Sequence, residues 1–233
     1  ISKCLEISKA TDGAFDITLG AVIDLWDIEG AIKESAEFKV PTDKEIKDAL
    51  DKCGYEKVKI QDHRIYIPEG MILDLGAVGK GIFLDEVMSE KEKISRGTLT
   101  AGGSVYCIGQ KLTGEAWVIG IKNPFDTSGS MINTSVSPDS VVSTSGDYER
   151  YIESDGIRYH HIIDKSTGYP ADSGLSSVTV IMPAGNGLLS DALSTAVFIL
   201  GADRAQELAD KYGAQIIMIT SSGDIIKTNQ TNR

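Results

Sequence analysis

Positive charge is scarce in this chain. Its 23 Lys and Arg face 34 Asp and Glu, a formal net charge of −11. Phosphate backbones and anionic bilayers attract basic patches, so neither nucleic acid nor a charged membrane surface is expected as the main partner. Only three cysteines occur, Cys4, Cys53 and Cys107. They are too few and too scattered for a disulfide framework or a zinc cluster, and read as small buried hydrophobes. No uninterrupted apolar run reaches the roughly 18 residues of a bilayer-spanning helix, and there is no basic-then-apolar leader of a secretory signal. The chain opens Ile1-Ser-Lys-Cys without a methionine, inside what reads as an amphipathic helix, so we expect its natural N-terminus to be missing. What remains is ordinary for a globular protein: 233 residues, 41% hydrophobic and 24% charged, ample for a sizeable core. There is no fixed-period repeat and no convincing linker, so a single domain over residues 1–233 is expected.

Helix and strand signals alternate without a strict βαβ rhythm. A first helix ends near Ala10, stopped by Thr11-Asp-Gly13, and Leu19–Trp26 reads as a second. Thr42-Asp-Lys-Glu45 is a capping box, followed by Ile46, Ala49, Leu50 and Cys53 at helical spacing. Lys57–Ile60, Arg64–Ile67 and Met71–Leu75 look like strands, and a helix runs from about Gly79 to Lys93. The middle is strand-rich: Thr98–Ile108, Ala116–Ile121, Ser140–Ser143, Tyr148–Glu153 and Arg158–Ile163, with a hairpin turn at Asp155-Gly156. Ser177–Met182 is a further strand. Helices Gly187–Leu200 and Ala202–Tyr212 follow, each closed by a glycine, and a last hairpin turns at Ser221-Ser-Gly223. Segregated helices with many antiparallel strands give an α+β class.

Three constellations carry chemistry. On the helix from Gly187, Asp191 and Thr195 stand one above the other, on a face continued by the apolar Leu188 and Ile199. A carboxylate there needs compensation. A hard cation such as magnesium would supply it through carboxylate, hydroxyl and backbone oxygens; alternatively Asp191 caps a backbone amide or pairs with a lysine, while Thr195 bonds back to a helix carbonyl. The second is Asp74-Leu-Gly-Ala-Val-Gly-Lys80-Gly81, a glycine-rich turn opening a helix. Backbone amides and Lys80 there suit a phosphate, or the segment is simply a tight turn with a lysine. It is not a Walker loop, because Gly81 stands where Ser or Thr should hold magnesium. Gly102 and Gly103, a bulge or a place of close ligand approach, are counted with the cofactor-binding residues. The third is Tyr159-His-His161-Ile-Ile-Asp164, in which at most one histidine of a strand can enter a site. Upstream, Ser143-Thr-Ser-Gly-Asp147-Tyr148 suits a planar polar ligand or an ordinary hairpin entry. Together these suit a diphosphate-bearing nucleotide, while the lack of GxGxxG and GxSxG argues against Rossmann and α/β-hydrolase chemistry.

Thr11-Asp-Gly-Ala-Phe15-Asp16-Ile-Thr, Leu25-Trp26, Asp74-Leu-Gly-Ala-Val-Gly-Lys80-Gly, Thr144-Ser-Gly-Asp-Tyr148, His161-Ile-Ile-Asp-Lys-Ser-Thr-Gly-Tyr-Pro170 and Ser190-Asp-Ala-Leu-Ser-Thr195-Ala come in the order seen in the ApbE family, which the chain resembles from about Ser8 to Thr228. The resemblance implies a T-fold-like α+β domain and FAD:protein FMN transfer with Mg2+. FMN moves from FAD onto a threonine hydroxyl of an acceptor protein that carries a Ser/Thr-Gly-Ala-Thr-like motif, and AMP is released. It implies Asp191, Thr195 and the Ala77 carbonyl as metal ligands. Phe15, Asp16, Asp74, Lys80 and Ile163 would line the FAD site, with Asp147 and Tyr148 near it. His161 would be the catalytic base or would orient the pyrophosphate, with Lys80 and Asp191 as its catalytic partners. Phosphoryl transfer rests on positioning and charge neutralisation, which a cation and Lys80 would supply, and the acceptor hydroxyl needs a base, His161 or Asp191.

The chain departs from the pattern in two places. Ile82 replaces the usual Tyr after Lys-Gly, and the usual Asp-Pro-Arg-Thr-Gly reads Asp164-Lys-Ser-Thr-Gly168, so the expected arginine is gone. The family's N-terminal segment, with its signal, lipid-anchor cysteine and first strands, is expected to be absent, leaving the flavin site less than fully walled. The resemblance also implies a place outside the cytoplasm, tethered to the membrane only through that anchor. Two other readings differ in class: an FAD pyrophosphatase that releases free FMN and AMP, and a non-catalytic flavin-binding module.

Overall fold

The chain begins as a helix that stops where the Thr11 hydroxyl turns back onto the Ile7 carbonyl at 2.8 Å. The computed structural model describes residues 1–34, 38–89, 94–125 and 131–229. In chain order the elements are α1 (Ser2–Ala10), α2 (Gly20–Trp26), α3 (Ile28–Glu34), α4 (Asp43–Leu50), β1 (Lys59–Gln61), β2 (Arg64–Tyr66) and α5 (Gly79–Ser89). Strands β3 (Gly97–Ala101), β4 (Ser104–Ile108), β5 (Trp117–Lys122), β6 (Met131–Val136), β7 (Ser140–Gly146), β8 (Tyr151–Ser154), β9 (Ile157–His160) and β10 (Leu175–Pro183) follow. The chain closes with α6 (Gly187–Leu200), α7 (Ala205–Tyr212), β11 (Gln215–Thr220) and β12 (Ile225–Lys227). The mixture of helices and antiparallel sheet is the α+β class expected. Two compact units are built, each from two stretches: Ile1–Leu75 with Asp147–Asp172, and Gly76–Gly146 with Ser173–Arg233.

The first unit is mostly helical. The capping box at α4 is formed: the Thr42 hydroxyl accepts the Glu45 amide, and Glu45 reaches back to the Thr42 amide at 2.8 Å. Trp26 anchors the core among Leu19, Val22, Ile28, Ile46 and Ile163. Its indole N–H donates to the Gly168 carbonyl at 2.8 Å, so the ring is buried without stranding its donor. Tyr159 stacks on it at 5.5 Å between centroids and Tyr169 meets it edge-on at 5.5 Å. Strands β8 and β9 pair through a turn at Asp155 (φ 51°) and Gly156 (φ 77°), the two positive φ values of a primed hairpin turn.

The second unit carries one antiparallel sheet in the order β12-β11-β10-β7-β4-β3. One face packs Cys107, Val142, Ile181, Ile217 and Ile219 with Ile121 and Val136 of the β5–β6 hairpin. Helix α6 lies against β7 and β10 and is buried on most of its circumference. The three cysteines are buried and free, and burial pushes Cys107 up to about 11. Among the described residues no helix is long and apolar enough to cross a membrane.

Several local expectations change. The single strand expected over Thr98–Ile108 is a hairpin: Gly102 takes φ of +55°, and Ala101 pairs with Ser104 across the two glycines. Met71–Leu75 is no strand; Ile72 forms only an isolated bridge to Leu19, because no neighbouring strand continues the ladder. Helix α4 ends at Leu50, short of Cys53. Strand β7 runs on to Gly146, since Thr144 and Ser145 find partners in Thr179 and Val178. Helix α3 and strand β6 were not expected; Gly30 in the one and Asn133, Thr134 and Ser135 in the other dilute the apolar signal. The end of the expected helix beyond 89 and the loop at 126–130 lie outside the described residues.

Candidate active site

Helices α5 and α6 of the second unit cross where neither has a side chain. A Cβ on Gly81 would overlap the Gly187 carbonyl, and one on Gly187 would overlap the Gly81 carbonyl. Position 81 is therefore glycine for packing, whatever a nucleotide-binding loop carries there. The close crossing brings Asp191, only 3% exposed, to the first turn of α5. Its Oδ2 accepts the Gly81 N–H at 2.7 Å, and its Oδ1 accepts the Ser104 hydroxyl of β4 at 2.8 Å. Capping of a backbone amide, one of the three roles open for this carboxylate, is thus observed. Its charge has no side-chain cation as partner: among the described residues Asp191 forms no ion pair with Lys, Arg or His. Two neutral donors leave at least one lone pair on each oxygen.

The hydroxyls beside it run in one direction. Ser194 donates to the Asp191 backbone carbonyl at 2.8 Å. Its only proton is then spent, so Ser145 of β7 must donate to Ser194 at 2.7 Å. Ser145 can in turn accept from Thr195, 3.3 Å away. Thr195 therefore keeps its oxygen lone pairs, and it is Ser194, not Thr195, that bonds back along the helix. Ser143, two positions before Ser145 and paired with Ser104 across the sheet, shares the face of the sheet toward Asp191. Its hydroxyl is buried without a hydrogen-bond partner. One carboxylate, several hydroxyls and an orphaned buried oxygen form a hard-oxygen donor set that fits magnesium. Among the described residues there is no group of three His, Cys, Asp or Glu able to hold a metal; the expected set contains a single carboxylate and is not of that kind.

Lys80 stands in the first turn of α5, after the turn at 76–78 that contains Ala77. Its stem passes over the β3–β4 turn, since a Cβ on Gly102 would meet Lys80 Cδ at 3.2 Å. Gly103, the second residue of that turn, lies beside the Thr144 carbonyl of β7. Asp191, Thr195, Lys80, Gly102 and Gly103 are thereby gathered within one unit by α5, α6 and the β3–β4 turn.

The first unit holds the rest of the expected set. Phe15 and Ile163 are buried, at 2% and 4% exposure, Ile163 within the Trp26 core. Asp16 is fully engaged within its own unit. Its Oδ1 accepts the Thr18 amide at 2.9 Å and hydroxyl at 2.7 Å, while Oδ2 accepts the Tyr55 amide at 3.1 Å and pairs with Lys165 at 2.6 Å. Its role here is to tie Thr18, Tyr55 and Lys165 together. Lys165, next to Ser166 at the position of the expected arginine, also lies 5.0 Å from the Tyr55 ring centroid. The Asp74 amide donates to the Ile17 carbonyl at 2.8 Å, and Asp147 and Tyr148 occupy the turn after β7.

The two histidines separate cleanly. His160 is buried with both ring nitrogens engaged, Nε2 with the Ala171 carbonyl at 2.9 Å and Nδ1 accepting the Ile162 amide at 3.3 Å. His161 lies just past β9, with Nδ1 3.2 Å from the Arg150 carbonyl. A carbonyl can only accept, so Nδ1 carries the proton and Nε2 presents a lone pair. Burial, with the Arg150 guanidinium adding to it, pushes His161 down to about 4. A histidine titrating lower in the folded state binds fewer protons than the unfolded chain between about pH 4 and pH 6.5, so stability falls as pH drops through that window. The part-exposed ring limits this to about 1–2 kcal/mol. His161→Asn should flatten the denaturation midpoint across pH 4–6.5; an unchanged slope would assign the acid sensitivity elsewhere.

Ser104 and Ser194 were not singled out from the sequence, and Ser143 and Ser145 only as members of a polar stretch. The recoverable signal is the spacing of Ser143 and Ser145 two residues apart in β7, which puts both hydroxyls on one face of the strand.

Comparison with known proteins bears on the family and the fold. The FAD:protein FMN transferase of Escherichia coli K12 is 34% identical over 98% of this chain, and that of Treponema pallidum 32% identical over 91%. The chain spans only 66% and 62% of the length of these curated relatives. Among solved structures, the ApbE protein of Thermotoga maritima superposes with a TM-score of 0.85 at 35% identity, over 98% of this chain and 74% of that one. The flavin transferase ApbE of Vibrio cholerae gives 0.80 at 28% identity, over 97% and 72%. The model of the ApbE family matches residues 1–219. The chain belongs to the ApbE family.

Proposed function

We propose that this chain is a magnesium-dependent FAD:protein FMN transferase, breaking the pyrophosphate of FAD and passing FMN to a threonine hydroxyl of an acceptor protein, with AMP released. The observation that carries this is the Asp191 carboxylate, buried without a cationic partner among the described residues and held one hydrogen bond from the helix turn that bears Lys80. The activity named for the relatives supports it, each being called an FAD:protein FMN transferase.

Asp191 and Thr195 would hold Mg2+ through their side chains, with the Ala77 carbonyl completing the protein's share. Bound there, the ion would neutralise charge on the diphosphate oxygens. Lys80 adds a point charge at a helix N-terminus, where anions are already favoured. Gly102 removes bulk beside the Lys80 stem, leaving it free to reach a phosphate. With the remaining lone pairs of Asp191 given over to the metal, His161 would serve as the base: neutral at pH 7, it would take the acceptor proton at Nε2 while Nδ1–H stays on the Arg150 carbonyl. Phe15, Asp74, Asp147, Tyr148 and Ile163 are proposed to shape the flavin site, and Asp16 to support it through Lys165 and Tyr55. A place outside the cytoplasm, reached through a lipid anchor, is proposed on family resemblance alone.

The test is incubation with FAD, Mg2+ and a peptide containing a Ser-Gly-Ala-Thr segment. The peptide should gain the mass of one FMN less one water, with AMP released in equal amount. FAD consumed with free FMN and an unmodified peptide would instead identify a pyrophosphatase.

A further inference from the structure

The α5–α6 crossing is reciprocal. Gly81 of α5 gives its N–H to Asp191 of α6, and Gly187 of α6 gives its N–H to Asp85 of α5 at 2.8 Å. In each helix the glycine and the aspartate are four residues apart and so share a face. Asp85 also accepts the Leu188 amide through its other oxygen at 3.0 Å. Tyr106 reinforces this end: its hydroxyl accepts the Gly185 amide and stands 3.4 Å from Asp85 Oδ1. Each helix therefore satisfies first-turn donors of the other with a carboxylate, and the two glycines allow the approach that makes both bonds possible.

We infer that Asp85 is a positioning residue for the metal-holding carboxylate: by clamping the first turn of α6 onto α5, it sets where Asp191 stands relative to the Lys80 turn. This rests on the reading of Asp191 as a metal ligand. Without Asp85 the Gly187 and Leu188 amides lose their acceptor, the first turn of α6 is free to shift, and Asp191 one turn further on shifts with it.

Mn2+ serves as the probe, its free concentration followed by paramagnetic resonance in the presence of FAD. Asp85→Ala is expected to weaken Mn2+ binding about tenfold, the scale seen for groups that orient metal ligands, and to speed hydrogen exchange at the Gly81 amide. Asp85→Asn, which keeps one acceptor oxygen, should recover part of both. Ala209→Gly in α7, chosen to cost similar stability, should leave both unchanged, separating positioning from general loosening. Mn2+ bound equally by Asp85→Ala and the unaltered chain, with the Gly81 amide as slow as before, would overturn the positioning role and leave the metal reading intact. Failure of the unaltered chain to bind Mn2+ would overturn the metal reading, and the role of Asp85 with it.

Discussion

Asp191→Ala should lower FAD cleavage on the order of 10³-fold, the scale on which deleting one preorganised charge-stabilising group is felt. Two effects combine in that variant. The proposed cation loses its only carboxylate, and the Gly81 N–H and Ser104 hydroxyl lose their acceptor in a space closed to water. The second effect costs about 1–3 kcal/mol of stability, a drop of several degrees in melting temperature for a chain of this size. Asp191→Asn separates them. It keeps the shape and one acceptor oxygen, so most of the fold stability should return while Mg2+-dependent AMP release stays low. Turnover in Asp191→Asn at the unaltered rate would show that the carboxylate is only a helix cap. Release of AMP is the quantity to follow, because it reports cleavage whether FMN ends on an acceptor or in water.

Lys165→Met should destabilise the chain by about 3 kcal/mol. The Asp16 side chain is fully buried, and Lys165 is its only cationic partner among the described residues. Removing one member of a buried pair leaves an uncompensated charge, which costs about 3–5 kcal/mol. Because Lys165 is 25% exposed and Asp16 keeps three further hydrogen bonds, the low end of that range is expected. The loss should be partly recovered in Asp16→Asn/Lys165→Met, where no bare carboxylate remains. Urea denaturation of Lys165→Met, Asp16→Asn and the double variant forms the cycle; a loss below about 1 kcal/mol in Lys165→Met would mean that Thr18 and Tyr55 alone hold Asp16. Lys165, one of the two residues by which this segment departs from the familial pattern, thus has a definite occupation, as an ion pair beside the Tyr55 ring.

Much of the site was legible because its parts are local. Asp191 and Thr195 share a helix, and a carboxylate on an apolar stripe announces itself whatever the stripe packs against. The Lys80 turn is likewise contained in one short segment. The serines were not legible. Ser104, Ser145 and Ser194 are unremarkable alone and acquire meaning only when β4 and β7 lie side by side under α6. Asp85 stayed hidden for the same reason: on its own helix it is one more acid in an acidic chain. Asp16 is the converse, a residue marked by its motif for a ligand site, whose bonding to Thr18, Tyr55 and Lys165 only the tertiary structure shows.

What local chemistry can decide, this sequence decided by itself: the capping box at Thr42, the glycine-closed helices, the Asp155-Gly156 turn and the α+β class, each dictated by backbone preference and side-chain period over a few residues. Tertiary structure alone decided the hairpin at Gly102-Gly103, the absence of a strand at Met71–Leu75, and the crossing of α5 on α6. These depend on whether a distant partner exists to receive a hydrogen bond or to occupy the space a missing Cβ leaves. The crossing is the deepest case, since Gly81, Asp85, Gly187 and Asp191 interlock across about a hundred residues of chain, and no window of sequence spans both halves of the clasp.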